Sequence, residues 1–148
     1  MKSALVVTVM GLSLVSRAFA AGEKATNAQE LVKLQTRVAQ AGPQDRCLLY
    51  AELIQGSTDL AIVQMRAGDE MQALATVESI ETYASRLDLS HVKSTKKLKA
   101  AEILLEQSAF RLKELLMGAS FEDRSPLERA LKQVNTAESE LLLKVFER

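Results

Sequence analysis

The chain has 148 residues with 19 basic and 19 acidic side chains and a single histidine, so no whole-molecule field draws it to nucleic acid or an anionic membrane. Its one cysteine excludes an intrachain disulfide, and the lack of tryptophan with only 4% aromatic residues leaves few platforms for stacking bases or sugars.

The first twenty residues divide into the three zones of a secretory signal. Lys2 is the basic n-region, Ala4 to Val15 is an apolar stretch of about twelve residues, and Ala18-Phe19-Ala20 supplies the small-x-small cleavage pattern. That apolar stretch is well short of the roughly 20 residues a membrane-spanning helix needs. Cleavage before Ala21 removes 20 of 148 residues and leaves 128, with 17 basic against 19 acidic side chains. A chain of that size suits one domain with one core. Cys47 lies 27 residues past the cleavage point, too far to carry a lipid at a new N-terminus. The expected product is exported, periplasmic or extracellular, with no transmembrane anchor after cleavage.

Residues 21–148 repeat apolar side chains at three- and four-residue steps throughout, which predicts an all-α, antiparallel bundle of about five helices, four long and one short and N-terminal. The first helix is expected from Ala28 to Ala41, capped by Asn27 with Glu30 at the reciprocal position. Gly42 is expected in the left-handed conformation that ends it, with Pro43 opening the next helix. Helix two, Gln44 to Ala67, carries the widest apolar arc, including Cys47, Leu49, Leu53, Ile54, Leu60 and Ala61, and only a narrow polar stripe of Glu52, Gln55, Asp59 and Arg66. It should be the most buried helix, and Gly56 on its apolar side points to a close approach by a neighbour rather than a bend.

Gly68-Asp69 reads as a tight turn into helix three, Glu70 to Leu87, whose seam is Ala73, Val77, Ile80, Ala84 and Leu87. Helix four then runs to Met117 along Leu98, Ala101, Leu105, Ser108, Leu112 and Leu115, either from a start near residue 92 or continuous with helix three. Ser125-Pro126-Leu127-Glu128 combines a hydroxyl cap, an early proline and a glutamate at the third position, so helix five is expected to open there. A helical-repeat solenoid is the rival architecture, but no second copy appears at a 34-residue period.

Reactive residue types are too few and too scattered for a recognisable catalytic or metal centre. His91 is the sole histidine, in a single Asp88-x-x-His91, whereas helical zinc and di-iron sites use several such ligands. No Gly-x-Ser-x-Gly elbow, phosphate loop or dinucleotide fingerprint is present, and Cys47 reads as a buried small hydrophobe with an intermolecular bridge as the alternative. The acidic pairs Glu78/Glu81 and Glu102/Glu106 read as solvated helix faces. No metal or cofactor is expected.

Two features suggest docking instead. Lys93, Lys96, Lys97 and Lys99 crowd the start of helix four, where the helix dipole disfavours cations, so they form a candidate patch for an anionic partner. Phe121, in the loop Ser120-Phe121-Glu122-Asp123-Arg124, is a candidate exposed anchor, while Tyr50, Tyr83, Phe110 and Phe146 read as packing residues.

The stretches Asp45-Arg46-Cys47-Leu48-Leu49-Tyr50-Ala51-Glu52 and Ser120-Phe121-Glu122-Asp123-Arg124 resemble segments of small uncharacterised exported helical proteins of acidobacteria. The resemblance implies a bacterial envelope setting and assigns no site residue. Together these readings predict a non-enzymatic interaction or scaffold module of the envelope. Its partner would be another envelope protein, an anionic polymer or a second copy. The alternative is a carrier holding an apolar small molecule between bundle helices, near Gly56 and Thr58.

Overall fold

A computed structural model describes residues 13–147, with side chains from Asn27 onward, so residues 1–12 of the expected signal peptide lie outside the described residues. Five α-helices follow one another: α1 (Ser13–Gln40), α2 (Pro43–Arg66), α3 (Glu70–Ser85), α4 (Thr95–Gly118) and α5 (Arg124–Phe146). A single 3₁₀ turn, Phe121–Asp123, leads into α5, and no strand occurs among the described residues. The protein is an all-α helical bundle.

Why α2 sits at the centre follows from its composition. Cys47, Leu49, Ala51, Leu53, Ile54, Leu60 and Ala61 are buried, and α2 packs against α1, α3 and α4 at once. Only a helix that is apolar around most of its circumference can satisfy three neighbours. A Cβ built on Gly56 would lie 2.8 Å from Leu31 Cδ2, so the glycine makes room for α1 at this point. The expected close approach is therefore present, and Leu31 occupies the space.

Around α2 the packing order is α2–α3–α5–α4, with α1 laid over the outer side of α2. Consecutive helices form two antiparallel hairpins, α2–α3 and α4–α5. The hairpins lie side by side with like helices parallel: Asp45 to Lys97, Gln55 to Gln107 and Asp59 to Arg111 are polar ties between α2 and α4, each joining residues 52 apart. A constant separation means both helices advance in the same direction. In a tetratricopeptide-like solenoid the second helix of one hairpin also packs on the first helix of the next; here α3 and α4 are on opposite corners.

Most residues of the helical seams are buried: Ala73, Val77, Ile80 and Ala84 of α3, Leu98, Ala101, Leu105, Ser108 and Leu112 of α4, and Leu127, Val134 and Leu141 of α5. Leu87, Leu115, Leu131 and Val145, at the same three- and four-residue steps, are only partly buried against the core. Gly68 takes φ +80, as the turn before α3 requires.

Several helix ends differ from expectation. α1 does not start at Asn27 but passes through it, because Ala18, Ala20, Ala21, Ala25 and Ala28 favour helix on both sides of the proposed cap. At 28 residues it is not the short member; α3, with 16, is. Gly42 has φ −73 and ψ 165, an extended conformation imposed by the ring of Pro43 that follows it. α5 opens at Arg124, with Asp123 at the N-cap, because the 3₁₀ turn feeds directly into it. Pro126 is tolerated in that first turn, whose amides have no intrahelical acceptor. Helices three and four are separate, joined by residues 86–94, in which Asp88 Oδ1 accepts from Ser90 N at 2.9 Å and Ser90 Oγ at 2.7 Å.

Leu53 is 1% exposed and packs with Val38 and Leu49 at the α1–α2 junction. Leu53→Asp is expected to cost about 3–5 kcal/mol, the penalty of an unpaired buried charge, and to lower the thermal midpoint by roughly 10–20 °C. Calorimetry showing an unchanged midpoint would mean that α1 does not cover this face of α2.

Candidate functional site

The lysine cluster begins two residues ahead of α4, at Lys93. Ser94 is the N-cap, and its Oγ accepts from Lys97 N at 3.3 Å. The first turn of α4 contains no acidic residue, so its positive dipole end has no compensation from within the helix. Relief comes from α2: Lys97 Nζ pairs with Asp45, and Gln44 Oε1 accepts from Lys93 N at 3.1 Å. Lys96 and Lys99 point to solvent, while Lys97 is half-buried. The cluster is thus divided, with Lys97 helping to hold α4 beside α2 and Lys96 and Lys99 directed outward.

Phe121 is 91% exposed on the 3₁₀ turn at the other end of the bundle. The 24 residues of α4 separate it from the lysines by about 36 Å. A single chain therefore does not bring the two candidate docking features together. Aromatic residues expected to pack are also exposed: Phe110 on α4 and Phe146 on α5, with Ile103, Met117 and Leu143 nearby in sequence. Reading aromatic side chains as packing groups missed them, because each falls on the side of its helix away from the buried seam. Their common spacing on α4 (103, 110, 117) was the available signal. Tyr50 and Tyr83 do pack, with ring centroids 6.3 Å apart, and Tyr83 Oη accepts from Gln35 Nε2 at 2.6 Å.

Cys47 lies beneath the protein surface and His91 on it, both near Asp88. Cys47 is 2% exposed, and burial, reinforced by the nearby charge of Asp88, pushes its thiol up to about 12. His91 is exposed in the α3–α4 link. The carboxyl of Asp88 is held below its ordinary range chiefly by the two hydrogen bonds from Ser90, with smaller contributions from His91 and Lys144. No group of three or more histidine, cysteine or acidic side chains gathers as a metal site among the described residues.

The acidic pairs have different surroundings. Glu81 pairs with Arg129 at 3.5 Å across α3 and α5. Glu102 and Glu106 face Glu138 of α5, whose carboxyl is raised first by burial and then by these two charges.

The clefts formed by the described residues open to the surface. One of about 510 Å³ lies near the ends of α2 and α4 and is lined by Met65, Arg66, Glu70, Arg111, Glu114 and Asp123 among others. At the place suggested for an apolar ligand, Leu31 fills the gap at Gly56, and Thr58 is fully buried with its hydroxyl donating to Ile54 O at 2.8 Å.

No described helix is long and apolar enough to cross a membrane. No known protein family, curated protein or solved structure matches the chain.

Two outcomes follow from these environments. At pH 8 a thiol titrating near 12 is ionised only to the order of 10⁻⁴, so a maleimide should leave native Cys47 unmodified while labelling the urea-unfolded chain fully. Prompt labelling of the native protein would place that thiol at the surface. Glu138 has a raised folded-state pKa, so it favours folding when protonated, and that advantage disappears as pH rises through the raised value. Glu138→Gln should therefore raise the thermal midpoint at pH 7, with the difference from the parent vanishing below about pH 4. A difference that persists at low pH would indicate a packing effect.

Proposed function

We propose that this protein is an exported, non-enzymatic interaction module of the bacterial cell envelope that docks through Lys93, Lys96 and Lys99 of the lysine cluster and the Phe121 turn, while Lys97 is held by Asp45. The observation that carries this reading is the placement of exposed cationic and apolar side chains on the α4–α5 hairpin. Among the described side chains, six of the eight large exposed hydrophobic residues belong to α4, the 3₁₀ turn or α5: Ile103, Phe110, Met117, Phe121, Leu143 and Phe146. Single exposed apolar residues are ordinary, but their concentration on one hairpin is characteristic of an interaction face. The filled space at Gly56 and the protonated, buried thiol of Cys47 favour docking over carriage or nucleophilic chemistry.

Export rests on the three-zone N-terminus, and the envelope setting on the resemblance to exported acidobacterial proteins. The partner class suggested by the lysines is anionic, either an acidic protein surface or an envelope polymer.

Gentle lysine-directed crosslinking in producing cells, followed by mass spectrometry, tests this. The expected result is a chain beginning at Ala21 with crosslinks through Lys93 to Lys99 to a defined partner. A full-length, cytoplasmic and uncrosslinked product would defeat both the export and the docking parts.

A further inference from the structure

The two candidate docking features sit about one α4 length apart, and the face of α4 between them carries a continuous exposed stripe. Ile103, Phe110 and Met117 recur every seven residues and are 49%, 63% and 69% exposed. Two turns of a helix bring residues seven apart back to nearly the same direction, so these three side chains form one seam about 21 Å long. The seam lies opposite the buried side of α4, made by Leu98, Ala101, Leu105 and Leu112. The described residues are also covered unequally: α1 lies over the outer side of α2, whereas no described helix lies over the outer side of α4.

We propose that a second copy of this chain covers this seam, its α4 packed antiparallel to the first about a two-fold axis at Phe110. This proposal rests on the docking reading above and names the partner. It sets the lysine cluster of each copy against the Phe121 turn of the other.

Charge complementarity selects this occupant. An axis at Phe110 places residue 110 − n of one helix beside residue 110 + n of the other, so Ile103 meets the second copy's Met117, and the reverse. Glu106 and Lys113 are both exposed and seven residues apart, hence on one flank of the seam. A two-fold axis across antiparallel helices keeps like flanks together, so Glu106 comes within one residue of the level of the second copy's Lys113, twice by symmetry. Beyond the seam, Lys99 reaches the level of the second copy's Phe121 and Glu122, with Asp123 adjacent. That acidic turn is the kind of surface the outward lysines suit, with Arg124 as its one cation. The same chain thus supplies both halves of the interaction, an isologous arrangement in which one patch pairs with itself.

Sedimentation of the purified protein across the micromolar range should show a concentration-dependent dimer. Lys113→Glu should weaken it at least about tenfold by setting like charges together, and Glu106→Lys with Lys113→Glu should restore it. Both positions are exposed, so circular dichroism should remain that of the parent. Geometry is read separately by single cysteines, because native Cys47 is buried. Phe110→Cys should crosslink to its own counterpart under mild oxidation, whereas Ile103→Cys should not, its counterpart being roughly 21 Å away. A monomer at all concentrations, a dimer indifferent to the charge reversals, or equal crosslinking at 103 and 110 would overturn the proposal. Should the protein be monomeric yet crosslink through Lys93 to Lys99 to a different envelope protein, self-pairing falls and the docking reading stands.

Discussion

α2 has to satisfy three helices at once, and the rest of the bundle is arranged around the way it does so. Large residues fill the gaps between neighbours: Leu53 toward α1, Ile54 within the main core. Complete burial of such side chains contributes about 1.5–3 kcal/mol each. Small residues are needed as well, because three close neighbours leave little room. Ala51, Gly56, Ser57 and Ala61 supply them. The polar groups carried inward are satisfied locally, Thr58 by the carbonyl of Ile54 and Gln64 by the hydroxyl of Thr76 at 2.7 Å. Consequently no buried side-chain nitrogen or oxygen among the described residues lacks a partner.

Once α2 is surrounded in this way, its narrow polar stripe, still partly open to water, becomes a set of ties. Glu52 reaches Arg37 of α1 at 3.8 Å, while Gln55 and Asp59 reach Gln107 and Arg111 of α4. Each exposed tie contributes only modestly, typically below about 1 kcal/mol. Their value is directional: apolar seams tolerate sliding and reversal, whereas matched pairs at a constant separation of 52 residues favour one register and one polarity. That register fixes the rest of the layout. It places the start of α4 beside the start of α2, and so puts the lysines at one end of the bundle and the 3₁₀ turn at the other.

The parts legible in the sequence are those governed by burial. Seams on α2 to α5 repeat often enough that a single misplaced residue does not erase them, so the helix count, the central role of α2 and the close approach at Gly56 could all be read. Helix ends depend on one or two residues and are easily overruled. The capping preference of Asn27 is outweighed by alanines on both sides, and Pro43 dictates the conformation of Gly42 more strongly than the end of α1 does. Polarity between hairpins was invisible for a different reason. Asp45, Asp59, Lys97 and Arg111 look like solvated surface charges until the fold brings them together, and this is why Lys97 looked free to dock when Asp45 already holds it.

The placement of the reactive side chains follows from the same economy. Cys47 belongs to the apolar arc of α2, so the packing that stabilises the bundle also withdraws its sulfur from solvent and keeps it protonated. His91 belongs to the link between the hairpins, whose backbone is turned by Asp88 and Ser90, and remains outside. Burial thus separates the two groups that a nucleophilic mechanism would need to combine, although both are near Asp88. What the fold leaves accessible is area and charge on the outer side of α4 and α5. A long helix needs one apolar face to join its own bundle; α4 has a second, narrower one, with Phe110 midway between Ile103 and Met117, and the described residues leave it largely uncovered. Such a seam costs solubility for as long as it is bare, which is the physical argument for association as the property this helix adds to the fold.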